Sequence, residues 1–399
     1  MTLAEVDHPH SVALYVHVPF CRAKCDYCGF YSCPPRGETE LRVTVEATIA
    51  QARRLLDETG HPEVTTLYFG GGTPSILDPS LLEHLARGVL DACGGEAAGI
   101  TEWTIEANPG DLTEAWLQAV SELPITRVSV GVQSFSASVR RFLGRPSPET
   151  GAIIAGLDAV SRAASRRDGP NLSVDLIAAD PREVLSDVRR AVETGTEHIS
   201  LYTLSVEPGT PLARRVVDRH EGLPDTDETA GAVEAARDYL ATEGFDRYEV
   251  SNYARPGAEC RHNETYWLLD PYLGVGPGAV STLPNGDGRA LRLSMPRQPS
   301  ALEGPNVEVV PRRGFLLEHF MTGLRRRNGL SLERLRRRFG ITPTATIPAT
   351  VARWRRAGFL ELTEEAMRVT GDGMWYLDAL LRDIAGELDV GEGGWYRCP

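Results

Sequence analysis

Lysine is nearly missing from this chain: of its 42 lysines and arginines only Lys24 is a lysine. The bias reflects coding composition and is assigned no function. Long apolar runs are missing as well. No stretch approaches the roughly 18 apolar residues of a membrane-spanning helix, so neither a span nor a membrane partner is expected. Met1–Ser11 carries Glu5 and Asp7 where a secretory leader would have a basic stretch and an apolar run, so a cytoplasmic protein is expected. Aromatic residues are scarce at 7%, yet 42% of residues are hydrophobic and 24% are charged. That balance is globular and excludes a wholly disordered, collagen-like or coiled-coil chain.

The formal charge of −13 is unevenly spread. Between Arg312 and Arg356, twelve arginines face only Glu318 and Glu333, a local +10 that leaves −23 on the rest. Clustered arginine can meet phosphate, but the acidic body opposes non-specific nucleic-acid binding, and a solvated helix face is the plainer reading.

At 399 residues the chain is long enough for two or three units. β-branched runs alternate with amphipathic helical patterns through its first two thirds. Strands are expected at Ala13–Val18, Thr65–Phe69, Glu102–Glu106, Arg127–Val132, Leu172–Ile177, His198–Leu204 and Arg247–Val250, with helices between them. Such a series implies an α/β fold with a parallel sheet and a site at the C-terminal strand ends. Glycine and proline crowd Pro271–Pro305, so 253–311 reads as an irregular connecting segment. Two helices and a hairpin near Ser331–Thr370 give residues 312–390 a winged-helix-like pattern.

Seven cysteines is an odd count, and three of them, Cys21, Cys25 and Cys28, stand together with Cys33 just beyond. In a cytosolic chain such a cluster points to metal or redox chemistry before disulfides. Cys33 reads as a solvent-side thiol, with a place at a substrate site as the alternative. Cys398 lies beside the C-terminus. The C-x3-C-x2-C loop directly follows the first strand. Three close thiolates can hold three corners of a cubane iron–sulfur cluster and leave one iron open to an exogenous ligand. Structural zinc, the other reading, lacks a fourth ligand at a usual spacing.

This loop resembles that of the radical S-adenosylmethionine (SAM) enzymes. The resemblance extends to Gly70-Gly71-Gly72-Thr73-Pro74, Glu106-Ala107-Asn108-Pro109-Gly110, Gly131-Val132-Gln133-Ser134-Phe135 and Leu143-Gly144-Arg145. With Tyr248-Glu249-Val250-Ser251-Asn252 and His262-Asn263-Glu264-Thr265-Tyr266-Trp267, these are similar to the branch of oxygen-independent coproporphyrinogen III oxidases and heme chaperones (HemN/HemW-type). The implied fold is a partial (β/α)6 radical SAM barrel over residues 10–252, followed by a HemN-type C-terminal domain expected to cover the barrel mouth. The implied chemistry is reductive cleavage of SAM by a 4Fe–4S cluster to a 5'-deoxyadenosyl radical, with a flavodoxin or ferredoxin as reductant and a small molecule as substrate. Cys21, Cys25 and Cys28 would hold the cluster. Gly71, Gly72 and Thr73 would meet the SAM amino group with Glu106 as its partner, Gln133 and Asp175 the ribose, and Arg145 the carboxylate; Tyr15 and Tyr27 would line the cofactor. An ammonium suits Glu, a carboxylate suits Arg, and hydroxyls suit Gln and Asp independently of the resemblance.

The sequence also leaves the pattern. Where the heme chaperones carry histidine, it has Ser147 and Val280, and the loop after Asp175 reads Ala178-Ala179-Asp180-Pro181-Arg182-Glu183. His262 is kept at the position proposed to ligate heme. Val280 instead resembles the oxidases, where an aliphatic residue borders a second SAM. The leading expectation is therefore a two-SAM enzyme transferring a methyl or methylene carbon to an organic substrate. Heme chaperoning or porphyrinogen oxidation is the alternative, and a nucleic-acid-binding regulator a minor one.

Overall fold

The computed structural model describes residues 2–95, 99–164, 169–219, 222–298 and 304–388; Cys398 and residues 389–390 lie outside them. The order begins β1 (Ser11–Val18), α1 (Glu38–Glu58), β2 (Glu63–Gly71), α2 (Pro79–Ala92), β3 (Glu102–Ala107), α3 (Glu114–Ser121) and β4 (Arg127–Gln133). It continues α4 (Ala137–Phe142), α5 (Thr150–Ala164), β5 (Asn171–Ala178), α6 (Pro181–Glu193), β6 (His198–Thr203), α7 (Pro211–Arg219) and α8 (Thr226–Thr242). β1 to β6 pair in sequence order, all parallel. This is the parallel series that the alternating pattern implies and the (β/α)6 arrangement that the family resemblance implies.

Period-two alternation decides what each strand shows to either side. In β4, Val128, Val130 and Val132 are buried in the main core, while Arg127, Ser129, Gly131 and Gln133 line an interior cavity. In β3, Trp103 and Ile105 face the core and Thr104 and Glu106 the cavity. β5 repeats it with Ser173 and Asp175, and β6 with His198 and Ser200. Closed barrels usually fill their interior with branched apolar side chains. This polar interior therefore stays open to a ligand.

Beyond β6 the chain departs from the sequence expectation. Of the seventh expected strand, Arg247–Val250, only Arg247 lies in a strand, β7 (Asp246–Arg247), which pairs with β8 (Asn252–Ala254) on the far edge, while Glu249 makes an isolated bridge to Arg326. Nor is 253–311 irregular. After α9 (Arg261–Leu268) come β9 (Tyr272–Val275), parallel to β1, then β10 (Val280–Pro284), β11 (Ala290–Ser294) and β12 (Asn306–Val310), which extend the same sheet antiparallel. Strands of four and five residues between glycine and proline turns leave too little periodicity to read locally.

A second core follows: α10 (Arg312–Gly323), β13 (Leu330–Ser331), α11 (Leu332–Phe339), α12 (Pro343–Thr346), α13 (Pro348–Arg356), β14 (Leu360–Leu362), β15 (Ala366–Val369) and α14 (Leu377–Glu387). Its three-stranded sheet orders β13-β15-β14, the wing of the expected pattern. Ion pairs Arg326–Glu264 (2.5 Å) and Arg334–Asp270 (2.6 Å) join it to α9 and the turn that follows.

Candidate radical SAM site

The cysteine loop leaves β1 and is pinned at its base by backbone. Cys21 N donates to Cys33 O (3.1 Å) and Cys33 N to Pro19 O (2.9 Å). Cys33 thus closes the loop through its main chain, and its thiol is not among the groups lining the cavity. Cys21, Cys25 and Cys28 all line that cavity, which has a volume of about 830 Å³. Arg22 fastens the loop by donating from Nε (3.1 Å) and Nη2 (2.7 Å) to Asp111, a buried carboxylate that Ser75 Oγ also reaches at 2.8 Å. Burial pushes the Cys28 thiol up, the direction that a bound cation reverses.

Beside the loop, a Cβ on Gly72 would lie 2.6 to 2.8 Å from the Phe20 and Val18 backbone, so only glycine lets the two chains come this close. Glu106 rises from β3 against that turn. Its carboxylate accepts from Tyr68 OH (2.8 Å) and Gly71 N (3.1 Å), both neutral donors. Burial, with Asp175 nearby, raises its pKa to about 7. Arg145, equally buried, donates to Asn108 Oδ1 (2.7 Å), to Gly131 O and to Cys25 Sγ (3.5 Å). Among the described residues it has no ion pair with a carboxylate, and its Nε is buried without a hydrogen bond. Asn108 also reaches Thr73 Oγ1 (3.2 Å), linking Arg145 to the glycine turn.

Gln133 ends β4 at φ 66°, a left-handed conformation uncommon for a non-glycine residue, where the β4–β5 register slips. Such strain concentrates at ligand sites, and Gln133 lines the cavity. Asp175 lines it one strand over, held by Ser129 Oγ (3.1 and 3.2 Å), with burial raising its pKa. Tyr27 lines it from the cysteine loop, and burial lifts its phenol well above the ordinary value. Asp180, one of the residues that depart from the family loop, caps α6 by accepting from Arg182 N at 3.1 Å.

Three expected site residues stand elsewhere. Tyr15 bonds His17 Nδ1 (3.0 Å) behind the cavity wall. Val280 sits on β10, away from the lining. His262 is fully buried near the barrel floor, its Nδ1 against Thr66 Oγ1 (2.8 Å) and its Nε2 against Tyr266 OH (2.9 Å). Both ring nitrogens are engaged by hydroxyls, which leaves neither open to a heme iron. The sequence reading missed Asn108 and Tyr68, although Asn108 lies in a motif it singled out. It also missed His198, whose Nδ1 meets Ser173 Oγ and Nε2 meets Tyr248 OH, both at 2.8 Å. Nor, among the described residues, does the C-terminal domain line the cavity: nothing beyond Asn263 does, and the loop after β6 lies there instead.

Family models match residues 15–195 as the radical SAM superfamily and 310–376 as the HemN C-terminal domain. The chain is 31% identical to the heme chaperone HemW of Lactococcus lactis, over 82% of its own length and 84% of the relative's. With the HemW of Mycobacterium tuberculosis it shares 33% identity over 94% of each chain. The chain belongs to the HemN/HemW-type branch of the radical SAM superfamily. The structure of the coproporphyrinogen III oxidase HemN from Escherichia coli shares its fold, with TM-score 0.77 over 97% of this chain and 92% of that one at 19% identity.

The family's cofactors are a 4Fe–4S cluster and SAM, and the site suits both. Three thiols stand on one loop beside a turn that admits no Cβ. A buried acid with only neutral donors and a buried guanidinium with no acid are the complements of an ammonium and a carboxylate on one ligand. No helix among the described residues is long and apolar enough to cross a membrane.

Proposed function

We propose that this radical SAM protein is a heme chaperone of the HemW kind. The observation that carries the reading is similarity along nearly the whole chain, barrel and C-terminal region together, to proteins named heme chaperones. Cys21, Cys25 and Cys28 would hold the cluster; Glu106 and Arg145 would orient the two ends of the SAM amino acid, and Gln133 and Asp175 its ribose. When bound, cluster and SAM supply one-electron reductive chemistry at the sulfonium. The chain's own part is to fix that geometry and keep water from it. A one-electron reductant of the flavodoxin or ferredoxin type belongs to this proposal.

Two-SAM carbon transfer remains the second reading, favoured by one observation. Ser147 and Val280 replace histidines, and the retained His262 has both nitrogens engaged, so the heme chaperones' imidazoles are missing from this cavity. The test is anaerobic reconstitution with iron and sulfide, followed by heme titration and by assay of 5'-deoxyadenosine and S-adenosylhomocysteine after SAM and dithionite. Stoichiometric heme uptake without homocysteine product supports the chaperone. Both nucleosides and no stable heme complex support carbon transfer and sink the chaperone.

A further inference from the structure

Asp26 stands between two cluster cysteines, and the structure gives it contacts with two segments outside its own loop. Its N–H donates to Leu143 O (3.0 Å), just before Arg145. Its carbonyl accepts from Leu212 N (2.8 Å) at the start of α7. Its carboxylate meets Arg215 Nη1 at 2.5 Å, and Arg215 Nη1 and Nη2 also donate to Phe142 O (2.9 and 3.0 Å). The guanidinium lies over the Phe142 ring, 5.2 Å from its centroid. Both side chains of the ion pair are mostly shielded, at 18% and 29% exposure, which favours a held contact over a fluctuating surface pair.

The segment this pair anchors is the one at the mouth. Leu204, Ser205, Glu207 and Pro208, between β6 and α7, all line the cavity. Glu207 packs over Gly29, where an added Cβ would lie 3.2 Å from its Cγ. Cysteine loop, Arg145 segment and mouth segment therefore share one junction at Asp26.

We propose that Asp26 and Arg215 are positioning residues, a clip that seats the Leu204–Thr210 segment on the cysteine loop so that the cluster site and its cover are set together. An ordered ligand between Cys25 and Arg145 then favours the closed cover, and the closed cover favours the ligand, since such coupling is reciprocal. The inference rests on the family's cluster and SAM chemistry and is independent of whether the substrate is heme.

The test uses the full, iron-loaded chain. Arg215→Gln, Asp26→Asn and Arg215→Lys are compared with wild type by SAM titration of the reduced-cluster EPR signal and by limited proteolysis between Leu204 and Arg219. Outer-sphere partners of metal sites typically carry about 10- to 100-fold effects. Arg215→Gln and Asp26→Asn are expected to weaken SAM half-saturation at least about tenfold and to speed cleavage of the segment, with Arg215→Lys restoring most of both. Unchanged SAM titration and protection in Asp26→Asn would overturn the clip. If Arg215→Gln fails to fold by far-ultraviolet circular dichroism, the isosteric Asp26→Asn decides. A wild-type cluster that shows no SAM response would fail the family chemistry instead, and so is told apart.

Discussion

Glu106→Gln should change sign with pH in the iron-free protein. Burial, and then the neighbouring Asp175, lift the Glu106 carboxyl from an ordinary 4.5 to about 7. At roughly 1.4 kcal/mol per pH unit, that distance amounts to about 3 kcal/mol of penalty for holding the charged form in the fold. Because the folded pKa lies above the unfolded one, the native state binds the extra proton between them. The penalty is absent below about pH 4.5, grows as pH rises, and is complete above about pH 7. Glutamine removes it, but Tyr68 OH and Gly71 N meet different oxygens of Glu106 and the amide puts an NH2 in place of one of them, a loss of about 1 kcal/mol. The variant should be about 1 kcal/mol less stable than wild type near pH 4, close to neutral near pH 5, and about 2 kcal/mol more stable near pH 8. Denaturant unfolding of both apo proteins at several pH values measures this. An equal destabilisation at pH 4 and pH 8 would refute the claim that the apo site carries an uncompensated buried carboxylate. SAM binding to the reconstituted variant should fall, because the site is more stable without the charge its ligand needs.

Alanine at any of Cys21, Cys25 or Cys28 should abolish the 4Fe–4S absorbance and all 5'-deoxyadenosine; an intact cluster spectrum in any of them would refute the ligand assignment. Gly72→Ala places a methyl within 2.8 Å of the Phe20 and Val18 backbone, so iron incorporation should drop sharply in a protein that still folds by circular dichroism. His262→Ala should leave heme affinity unchanged while lowering stability by about 2 to 4 kcal/mol, because it opens a cavity and orphans the hydroxyls of Thr66 and Tyr266. Heme binding lost with stability intact would return His262 to the ligand role.

Much of the barrel was legible because its strands are buried on both faces and its helices on one. Val128, Val130 and Val132 alternating with Arg127, Ser129, Gly131 and Gln133 already describe a strand between a core and a polar chamber. The edge strands were not legible: Tyr272–Val275 and Val280–Pro284 are too short to show a period and are bounded by the same glycines that mark loops. The C-terminal helices and wing could be read, whereas their packing beside α9 could not.

By itself the sequence determined the chemistry on offer: three thiols on one loop, a glycine turn, an acid at a strand end and a guanidinium in a later loop. Covalent spacing and side-chain chemistry are local, and a single chain displays them. Only the tertiary structure decided which of these groups meet. It set Arg145 beside Cys25 across 120 positions and tied Asp26 to Arg215 across 189, while it turned His262 away from the cavity onto Thr66, 196 positions distant. Contacts at such separations depend on strand register and barrel closure, which no local window of residues contains.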